Sequence, residues 1–489
     1  MHDQHKHRTP HTDPANGVAD KVAAAAGEGT ATAITAAAHS PTAAAPQTTV
    51  QPPPEPASRT DAAADAAAPP RPRTLRLLAA ALAISLLFDR LVAADPYLAH
   101  WNLTLGAFWI SCAAIVTALH WRTAGSRPAI WFVDAAIMAL AAWLALHGGP
   151  SGSDAAYALL TVFVAAPSLL MLHAQLANGL FNVRRPWGIA LRWLSGWIIQ
   201  PLTGLGGFGR AVAALAHSAA SGGQRPLARK IGIALAISVP VLAVLVPLLA
   251  SADMVFRYGL LHLIGDIDAT ELLAHGALVL IPFPLLFSLL AGLDDTDGDA
   301  ASAYAAHPRI ALDPTVTAIV LGMVLAVYAV FCSVQFTFLF AGAGLPDGLT
   351  YAEYARGGFF QLLAVASINI AVFGAVLSHA ARTRAVTVSL AGLIAATGVM
   401  LASAARRLAL YIGAYGLTWL RFASMTFIGL LAVVLALCLI RMATDRLPLA
   451  AVCFALFVVW YVALGYCAAP AIAGFNAMHG FGAPMDPLP

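Results

Sequence analysis

The segment FASMTFIGLLAVVLALCLIR, residues 422–441, decides the fold class of this chain. It contains no charged residue before its final arginine, Arg441, and most of its side chains are apolar. An α-helix rises about 1.5 Å per residue, so about 20 such residues cross the roughly 30 Å hydrocarbon layer of a bilayer. The segment therefore predicts a transmembrane helix.

Similar apolar runs recur along the chain at a density that excludes a soluble protein. Of the 489 residues, 60% are hydrophobic and only 10% are charged, whereas a soluble domain carries about 25% charged residues. We predict an all-α fold, a polytopic transmembrane helical bundle of about eleven spans. The predicted spans are 75–94, 103–121, 129–147, 155–173, 230–250, 272–292, 314–340, 359–380, 385–404, 422–441 and 447–467.

The rest of the chain divides into an N-terminal tail and a short C-terminal segment. Residues 1–74 are rich in Ala, Pro and Thr and contain almost no large apolar side chains, so they cannot bury enough surface to offset the entropy lost on ordering. We predict a disordered tail over 1–74, a membrane domain over 75–475 and a C-terminal tail over 476–489. The first apolar run begins near Leu75, too late for a cleavable signal peptide.

A long polar segment, residues 174–229, separates the fourth and fifth predicted spans. Basic and tryptophan side chains alternate in its first half, at Arg184, Arg185, Trp187, Arg192, Trp193 and Trp197. Such alternation is typical of an amphipathic helix in the lipid headgroup layer. Beside membrane spans it favours membrane lipid, and not nucleic acid, as the partner. We predict a cytoplasmic loop that contains one interfacial amphipathic helix.

The distribution of Lys and Arg predicts which side of the membrane each loop faces, because these residues collect in cytoplasmic loops. With the N-terminus inside, 17 of the basic residues from Arg71 onward fall on the cytoplasmic side and 6 on the other side. Those six are Arg90, Arg257, Arg356, Arg406, Arg407 and Arg421. We predict a multi-pass protein of the bacterial plasma (inner) membrane with a cytoplasmic N-terminus. The loop 405–421 departs from the rule, because it places three arginines outside.

The sequence lacks the short signatures of common catalytic and cofactor sites: HExxH, GxSxG and the Walker A pattern do not occur. The segment 204–209 matches GxGxxG, but dinucleotide binding also needs an acidic residue about 20 positions later, and the next one is Asp253. The acidic run 294–299 lacks the correctly placed glycine and the final glutamate of a calcium loop, so we interpret it as a solvated turn. We predict no catalytic, cofactor-binding or metal-binding residues and no cofactor, and an enzymatic activity is not favoured.

Charged and tyrosine residues collect in three separate segments on the predicted outer side. Their spacings of three or four residues place members of each segment on one face if the segment is helical. The candidate outer polar site consists of Asp253, Arg257, Glu353, Arg356, Arg406, Arg407, Tyr411, Tyr415 and Arg421. The alternative is that these residues are interfacial anchors and solvated ion pairs, each of which contributes little stability.

Other polar residues fall inside the predicted spans, where exposure to lipid is costly, so they should face protein or water. The candidate intramembrane polar residues are Asp89, Gln361 and Asn369, and the same expectation holds for Asp134, Gln335 and His379. Gln361 and Asn369 are eight residues apart, about 80° around a helix, so we predict that they line one groove. The alternative for each is a structural hydrogen bond between helices.

Three stretches resemble the signature segments of an uncharacterised bacterial integral-membrane family, the domain of unknown function 4153/4173. They are LLASADMVF at 248–256, TYAEYARGGFFQL at 350–362 and RRLALYIGAYGLTWLR at 406–421. The resemblance spans roughly 75–475 and implies a multi-spanning membrane protein without an established activity. The chain departs from the family pattern at Gly413, where an acidic residue is usual, and at 469–471, where it has Ala-Pro-Ala in place of Asn-Pro-Asp.

These observations leave three functions open. A transporter or permease is favoured by the number of spans and the embedded polar residues. A non-catalytic regulatory or scaffold protein of the cell envelope fits the lack of catalytic signatures. A membrane-embedded enzyme acting on a lipid would need a carboxylate beside a substrate cavity, for which Asp253 and Glu353 are the candidates. The sequence does not identify a substrate or an oligomeric state.

Overall fold

A computed structural model describes most of the membrane domain. The described residues are 71–93, 101–147, 154–178, 186–220, 269–294, 312–335, 359–444 and 446–481, with isolated positions between 238 and 259. All of them belong to one compact unit, Arg59–Pro489. Nearly all of the tail predicted for 1–74, and the predicted span 230–250 apart from isolated helical positions, lie outside this described part.

The prediction of an all-α protein is confirmed, because the regular structure of the described residues is helical and contains no β-strand. We number the helices in chain order. They are α1 Pro72–Leu87, α2 Trp101–Leu119, α3 Pro128–His147, α4 Ala155–Ala177, α5 Pro186–Thr203, α6 Leu205–Ala220, α7 Ala269–Leu280, α8 Pro282–Leu293, α9 Pro314–Gln335, α10 Phe359–His379, α11 Arg384–Tyr415, α12 Trp419–Ala443 and α13 Leu449–Met478. A π-helical turn, Phe88–Ala93, continues α1, and another, Thr161–Ala165, interrupts α4.

Nine candidate membrane spans occur among the described residues, so the chain is a multi-pass membrane protein. They correspond to nine of the eleven predicted spans, with α7 and α8 together forming one span across Pro282. The predicted span 75–94 corresponds to α1 and its π turn, which are helical but are not among these nine candidate spans.

Two spans extend well beyond the predicted ends. The predicted span 385–404 is the 32-residue helix α11, and the span 447–467 is the 30-residue helix α13. The segment 405–415, which we expected to be a loop, therefore continues α11. Its Ala, Leu and Arg residues are strong helix formers, and α11 ends only before Gly416, whose φ of 75° breaks the helical path.

The helices pack around two main hydrophobic cores. The N-terminal core contains buried side chains of α2, α3 and α4, and the C-terminal core contains buried side chains of α10, α11 and α12. Helix α13 belongs to both, because Tyr461 and Leu464 are part of the N-terminal core while Ala468 and Ile472 are part of the C-terminal core. This last helix therefore joins the two cores.

Polar contacts define the two ends of the N-terminal bundle. At one end, Arg73 of α1 pairs with Asp294, which follows α8, and Asn178, which follows α4, donates to the carbonyl of Leu293 at 2.7 Å. We call this end the Arg73 side. At the other end, Asp89 contacts His275 of α7; we call this end the Asp89 side. Consecutive spans α1 to α4 thus alternate in direction.

The segment 174–229 contains two helices where we predicted one. Helix α5 carries the expected tryptophans, and Trp193 donates to the hydroxyl of Ser168 in α4 at 2.8 Å. The carbonyl of Gln200 accepts from Ser288 of α8 at 2.7 Å, and Gly204 lies so close to Ser288 that a Cβ atom there would be 2.2 Å from its hydroxyl oxygen. Helix α5 is thus packed on two spans, and its location in the headgroup layer stays a prediction.

The alternating spans lead to a topology prediction. Reporter fusions after Arg127 and Asp297 should report one side of the membrane, and fusions after His147 and Ala343 the opposite side, because α3 crosses from the Arg73 side to the Asp89 side. Paired alkaline phosphatase and fluorescent-protein fusions measure this directly. Reporters after His147 and Asp297 that marked the same side would contradict the span count between them.

Candidate functional site

A buried aspartate and histidine form the centre of the candidate site. Nδ1 of His173 in α4 lies 2.6 Å from Oδ1 of Asp134 in α3. The hydroxyl of Thr117 in α2 lies 3.0 Å from Oδ2 of Asp134 and 2.7 Å from the carbonyl oxygen of Ala113, so its single proton can be donated to either acceptor. Three helices of the N-terminal core thus each contribute one polar side chain to a single cluster.

The sequence places these side chains at matching depths. Asp134 lies six residues into α3, which starts on the Arg73 side, and His173 lies four residues before the end of α4, which finishes on that side. Helices α2 and α3 also approach closely, because Gly106 presents no side chain and a Cβ there would lie 2.7 Å from the carbonyl oxygen of Ala141. Small residues allow such approach between membrane helices.

The pair is sealed from solvent. His173 is completely buried and Asp134 is 8% exposed. Nε2 of His173 is buried and has no hydrogen-bond partner. Burying a polar atom without a partner costs free energy, and an ionisable residue inside a membrane protein is therefore a candidate functional site.

A second histidine connects the pair to the Arg73 side. The ring centroids of His120 and His173 are 5.9 Å apart. Nε2 of His120 lies 3.8 Å from Oδ1 of Asp294 and 3.4 Å from the amide nitrogen of Asn178. His120 is 8% exposed, so the path from His173 to the end of the bundle consists of buried side chains.

The Arg73 end of this path carries a fixed negative charge. Asp294 accepts two hydrogen bonds from the guanidinium of Arg73, one of them at 2.6 Å from Nη2. Burial raises the pKa of Asp294, but the hydrogen bonds and charges of His120 and Arg73 outweigh burial and hold the pKa below its ordinary value. Asp294 is therefore a carboxylate at neutral pH, and this charge is lost only as the pH falls through that lowered pKa. Our interpretation of Asp294 as part of a solvated turn is wrong, since it is only 8% exposed.

The cluster combines groups that can hold a proton. Imidazole is a side chain that can gain or lose a proton, and a carboxylate can accept a hydrogen bond from its N–H. Asp134, His173, His120 and Asp294 lie along one path, with the two imidazoles between the two carboxylates, and we call this set the Asp–His relay. Among the described residues, no group of three or more His, Cys, Asp or Glu side chains is arranged to hold a metal ion.

The predicted outer polar site is only partly within the described residues. Arg257, Glu353 and Arg356 lie outside them, and Asp253 is exposed. Arg406 is also exposed. That the three segments meet in one polar site therefore stays a prediction.

The remaining members of that predicted site are Arg407, Tyr411, Tyr415 and Arg421. They contact residues of α9, α11 and α12. Arg407 is 9% exposed, and its Nη2 donates to Oε1 of Gln335 in α9 at 3.2 Å. Arg421 lies 4.1 Å from the ring centroid of Tyr411, whose ring also packs against Tyr415. The predicted common face of Tyr411 and Tyr415 on a helix is thus observed.

The contacts of Arg421 give a physical reason for one of the six arginines that depart from the predicted charge distribution. Its Nη1 donates to the carbonyl of Tyr415 at 3.0 Å and to that of Gly416 at 2.6 Å. These carbonyls end α11, and a cation there balances the negative end of the helix dipole. This arginine is held at its position by helix capping, which the positive-inside rule does not consider.

The predicted intramembrane residues divide into two groups. Asp89 and Asn369 are buried, whereas Gln361 is exposed. Gln361 lies in the first turn of α10, so it does not share the buried surroundings of Asn369. Asn369 accepts from Tyr328 at 2.8 Å and donates to Thr397 at 3.0 Å, which is the structural hydrogen bond that we weighed as the alternative.

Sequence reasoning singled out Asp134 but missed His173, His120 and the role of Asp294. The missed signal was depth: Asp134 and His173 lie about equally far from the loops at the Arg73 ends of their helices. Counting residues from each predicted loop, and not only along one helix, would have placed these two side chains at the same level of the membrane.

Comparison with known proteins gives one match. A family model described as Domain of unknown function (DUF4153) matches residues 135–477, more than half of the chain. The match begins one residue after Asp134 and includes His173 and α13. No curated protein and no solved structure matches the chain.

Proposed function

The chain belongs to the DUF4153 family of proteins of unknown function, and from this premise we propose that it is a proton-coupled permease. In this proposal the Asp134–His173 pair binds the proton that is coupled to solute movement. The remaining members of the Asp–His relay, His120 and Asp294, connect the pair to the Arg73 side. The proposal also makes the Arg73 side cytoplasmic, as the distribution of basic residues favours.

The observation that carries the proposal is the completely buried His173 beside Asp134. This pair lies between three packed helices, near their ends on the Arg73 side. A buried ion pair gives little net stability, because the cost of removing two charges from water offsets their attraction. Apolar side chains would hold α2, α3 and α4 together at least as well. A titratable pair at this depth is therefore better explained by proton binding than by packing.

Two structural features also support transport. Alternating access requires two bodies that move against each other, and the protein has separate N-terminal and C-terminal cores joined through α13. In addition, α4 contains a π-helical turn, Thr161–Ala165, between the relay and the Asp89 side. Such turns are frequent at functional sites, and they interrupt the regular hydrogen bonding of a helix.

The test uses full-length protein in liposomes on solid-supported membranes. We expect some class of small solute to produce a current in the wild-type protein, and the current should increase with a proton gradient. Asp134→Asn and His173→Gln keep hydrogen-bonding capacity but remove the titrating group. Both should therefore lose the dependence of the current on the proton gradient.

Two conservative variants away from the relay serve as matched controls. Asp154→Asn changes an aspartate at the start of α4, and His379→Gln changes a histidine whose ring contacts the carbonyl of Ala375. Both should keep wild-type currents. A wild-type protein that gave no solute-dependent current with amino acids, sugars, organic acids, ions or lipid headgroup analogues would contradict transport. Unchanged proton dependence in Asp134→Asn and His173→Gln would contradict the role of the pair.

A further inference from the structure

A second Asp–His pair lies on the Asp89 side. Nδ1 of His275 in α7 is 2.5 Å from Oδ1 of Asp89, which lies in the π turn that continues α1. The side chain of Asp89 is 4% exposed and that of His275 is 33% exposed. The carboxylate is thus buried while the imidazole reaches the surface, unlike the sealed Asp134–His173 pair.

The π turn is part of this arrangement. A π turn adds a residue to a helical turn, and it shifts the side chains that follow relative to the regular helix. The turn Phe88–Ala93 packs against both α2 and α7. The only acidic residue in the turn is Asp89, and this residue contacts α7.

In the described part of the chain, few other charged groups lie on the elements that pack against the pair. Arg90 is the neighbour on the π turn, with its Nε 3.8 Å from Oδ2 of Asp89 and its side chain 80% exposed. Helix α2 contributes no Asp, Glu, His, Lys or Arg anywhere along its length. On α7 itself, Glu271 precedes His275 by one helical turn. The described part of α8 contributes no charged residue before Asp294 at its far end.

The pair holds one end of an antiparallel helix contact whose other end is already fixed. Arg73 and Asp294 connect α1 to the end of α8, and Asp294 remains charged at neutral pH. Asp89 and His275 connect the π turn to α7, and an imidazole changes its charge between about pH 5 and 8. The contact between α1 and the α7–α8 span is therefore constant on the Arg73 side and able to change with pH on the Asp89 side.

We propose that Asp89 and His275 form a proton-binding site open to the Asp89 side of the membrane, and that its protonation controls the contact between α7 and the π turn of α1. When the imidazole carries its proton, it forms a charge-assisted hydrogen bond with the carboxylate, which is stronger than a neutral one. Loss of the proton weakens this bond and releases α7. The site does not depend on solute transport or on the Asp134–His173 pair.

The test measures hydrogen–deuterium exchange of the peptide that contains α7, in full-length protein in lipid nanodiscs. Rates are corrected for the intrinsic effect of pH on amide exchange. Local opening sets the exchange rate of a protected amide. We expect the corrected rate in α7 to rise about two- to fivefold between about pH 5 and 8, as expected for the loss of one partly exposed ion pair.

Three variants distinguish a proton-binding site from a packing contact. Asp89→Asn and His275→Gln should give fast exchange at every pH, because the ion pair cannot form. His275→Lys carries a positive charge throughout this pH range, so its exchange should be slow and independent of pH. The exposed His147 at the end of α3 provides the control, and His147→Gln should behave like the wild-type protein.

Two results would overturn the proposal. One is a corrected exchange rate in α7 of the wild-type protein that does not change with pH. The other is the same pH dependence in His275→Gln as in the wild-type protein. Because Asp134→Asn should leave this dependence intact, failure of the permease proposal would be seen separately from failure of this one.

Discussion

Gly106→Leu should prevent α2 and α3 from packing, and we expect the protein to lose most of its cooperative thermal unfolding in detergent. A Cβ atom at this position would lie 2.7 Å from the carbonyl oxygen of Ala141 and 2.9 Å from Cβ of Ala145. A backbone carbonyl cannot rotate away as a flexible side chain can, so the whole helix must move. Overpacking costs roughly 1–3 kcal/mol even where side chains can adjust, and this contact is with the backbone.

The displacement would also reach the candidate site. Thr117 is on the same helix as Gly106, and its hydroxyl contacts Asp134 on α3, so separating the two helices should break this contact. Thermal unfolding followed by tryptophan fluorescence, together with size-exclusion chromatography, measures the effect. The matched control is Gly429→Leu in α12, because a Cβ atom there meets nothing within 4 Å. Equal stability of the two variants would contradict the close approach of α2 and α3.

The spans could be predicted from sequence because their cause is local. Each span needs about 20 apolar residues in one run, and this requirement is visible without knowing what the helix contacts. The ends of spans were less predictable, as α11 shows. Hydropathy falls near Arg406 and Arg407, but the helix continues to Tyr415 because Arg407 is buried against Gln335 of another helix.

The candidate site was harder to predict because it depends on contacts between distant segments. Asp294 lies in an acidic, polar stretch that looks like a solvated loop, but in the structure it is buried beside His120 and Arg73, which is 221 residues earlier. His173 and His120 are likewise unremarkable within their own helices. Their importance comes from α2, α3 and α4 meeting at one depth, which no local pattern describes.

A buried amide connects the end of α13 to the C-terminal core. Oδ1 of Asn476 in α13 accepts from the backbone N–H of Leu417 at 2.8 Å, and its Nδ2 donates to the carbonyl of Leu417 at 2.9 Å. Leu417 lies in the turn between α11 and α12, directly after Gly416. The side chain of Asn476 thus supplies hydrogen-bond partners for both the N–H and the carbonyl of Leu417. These two bonds fix the end of α13 to the C-terminal core.

Asn476→Leu should therefore have the second large effect, a loss of roughly 2–6 kcal/mol, because two buried backbone groups would each lose a partner at a cost of about 1–3 kcal/mol. Leucine has the branched shape of asparagine but a larger volume, so the loss would combine the missing hydrogen bonds with some overpacking. Asn476→Asp keeps one acceptor but buries a carboxylate whose second oxygen faces the carbonyl of Leu417, so we expect a loss of similar size. Asn102→Leu is the matched control, since Asn102 makes a single long hydrogen bond of 3.3 Å to the carbonyl of Ala145. Thermal unfolding of the four proteins should rank wild type and Asn102→Leu above both Asn476 variants. An Asn476→Leu protein as stable as Asn102→Leu would show that the turn after α11 holds its conformation without α13, and that the two cores are joined by apolar packing along this helix alone.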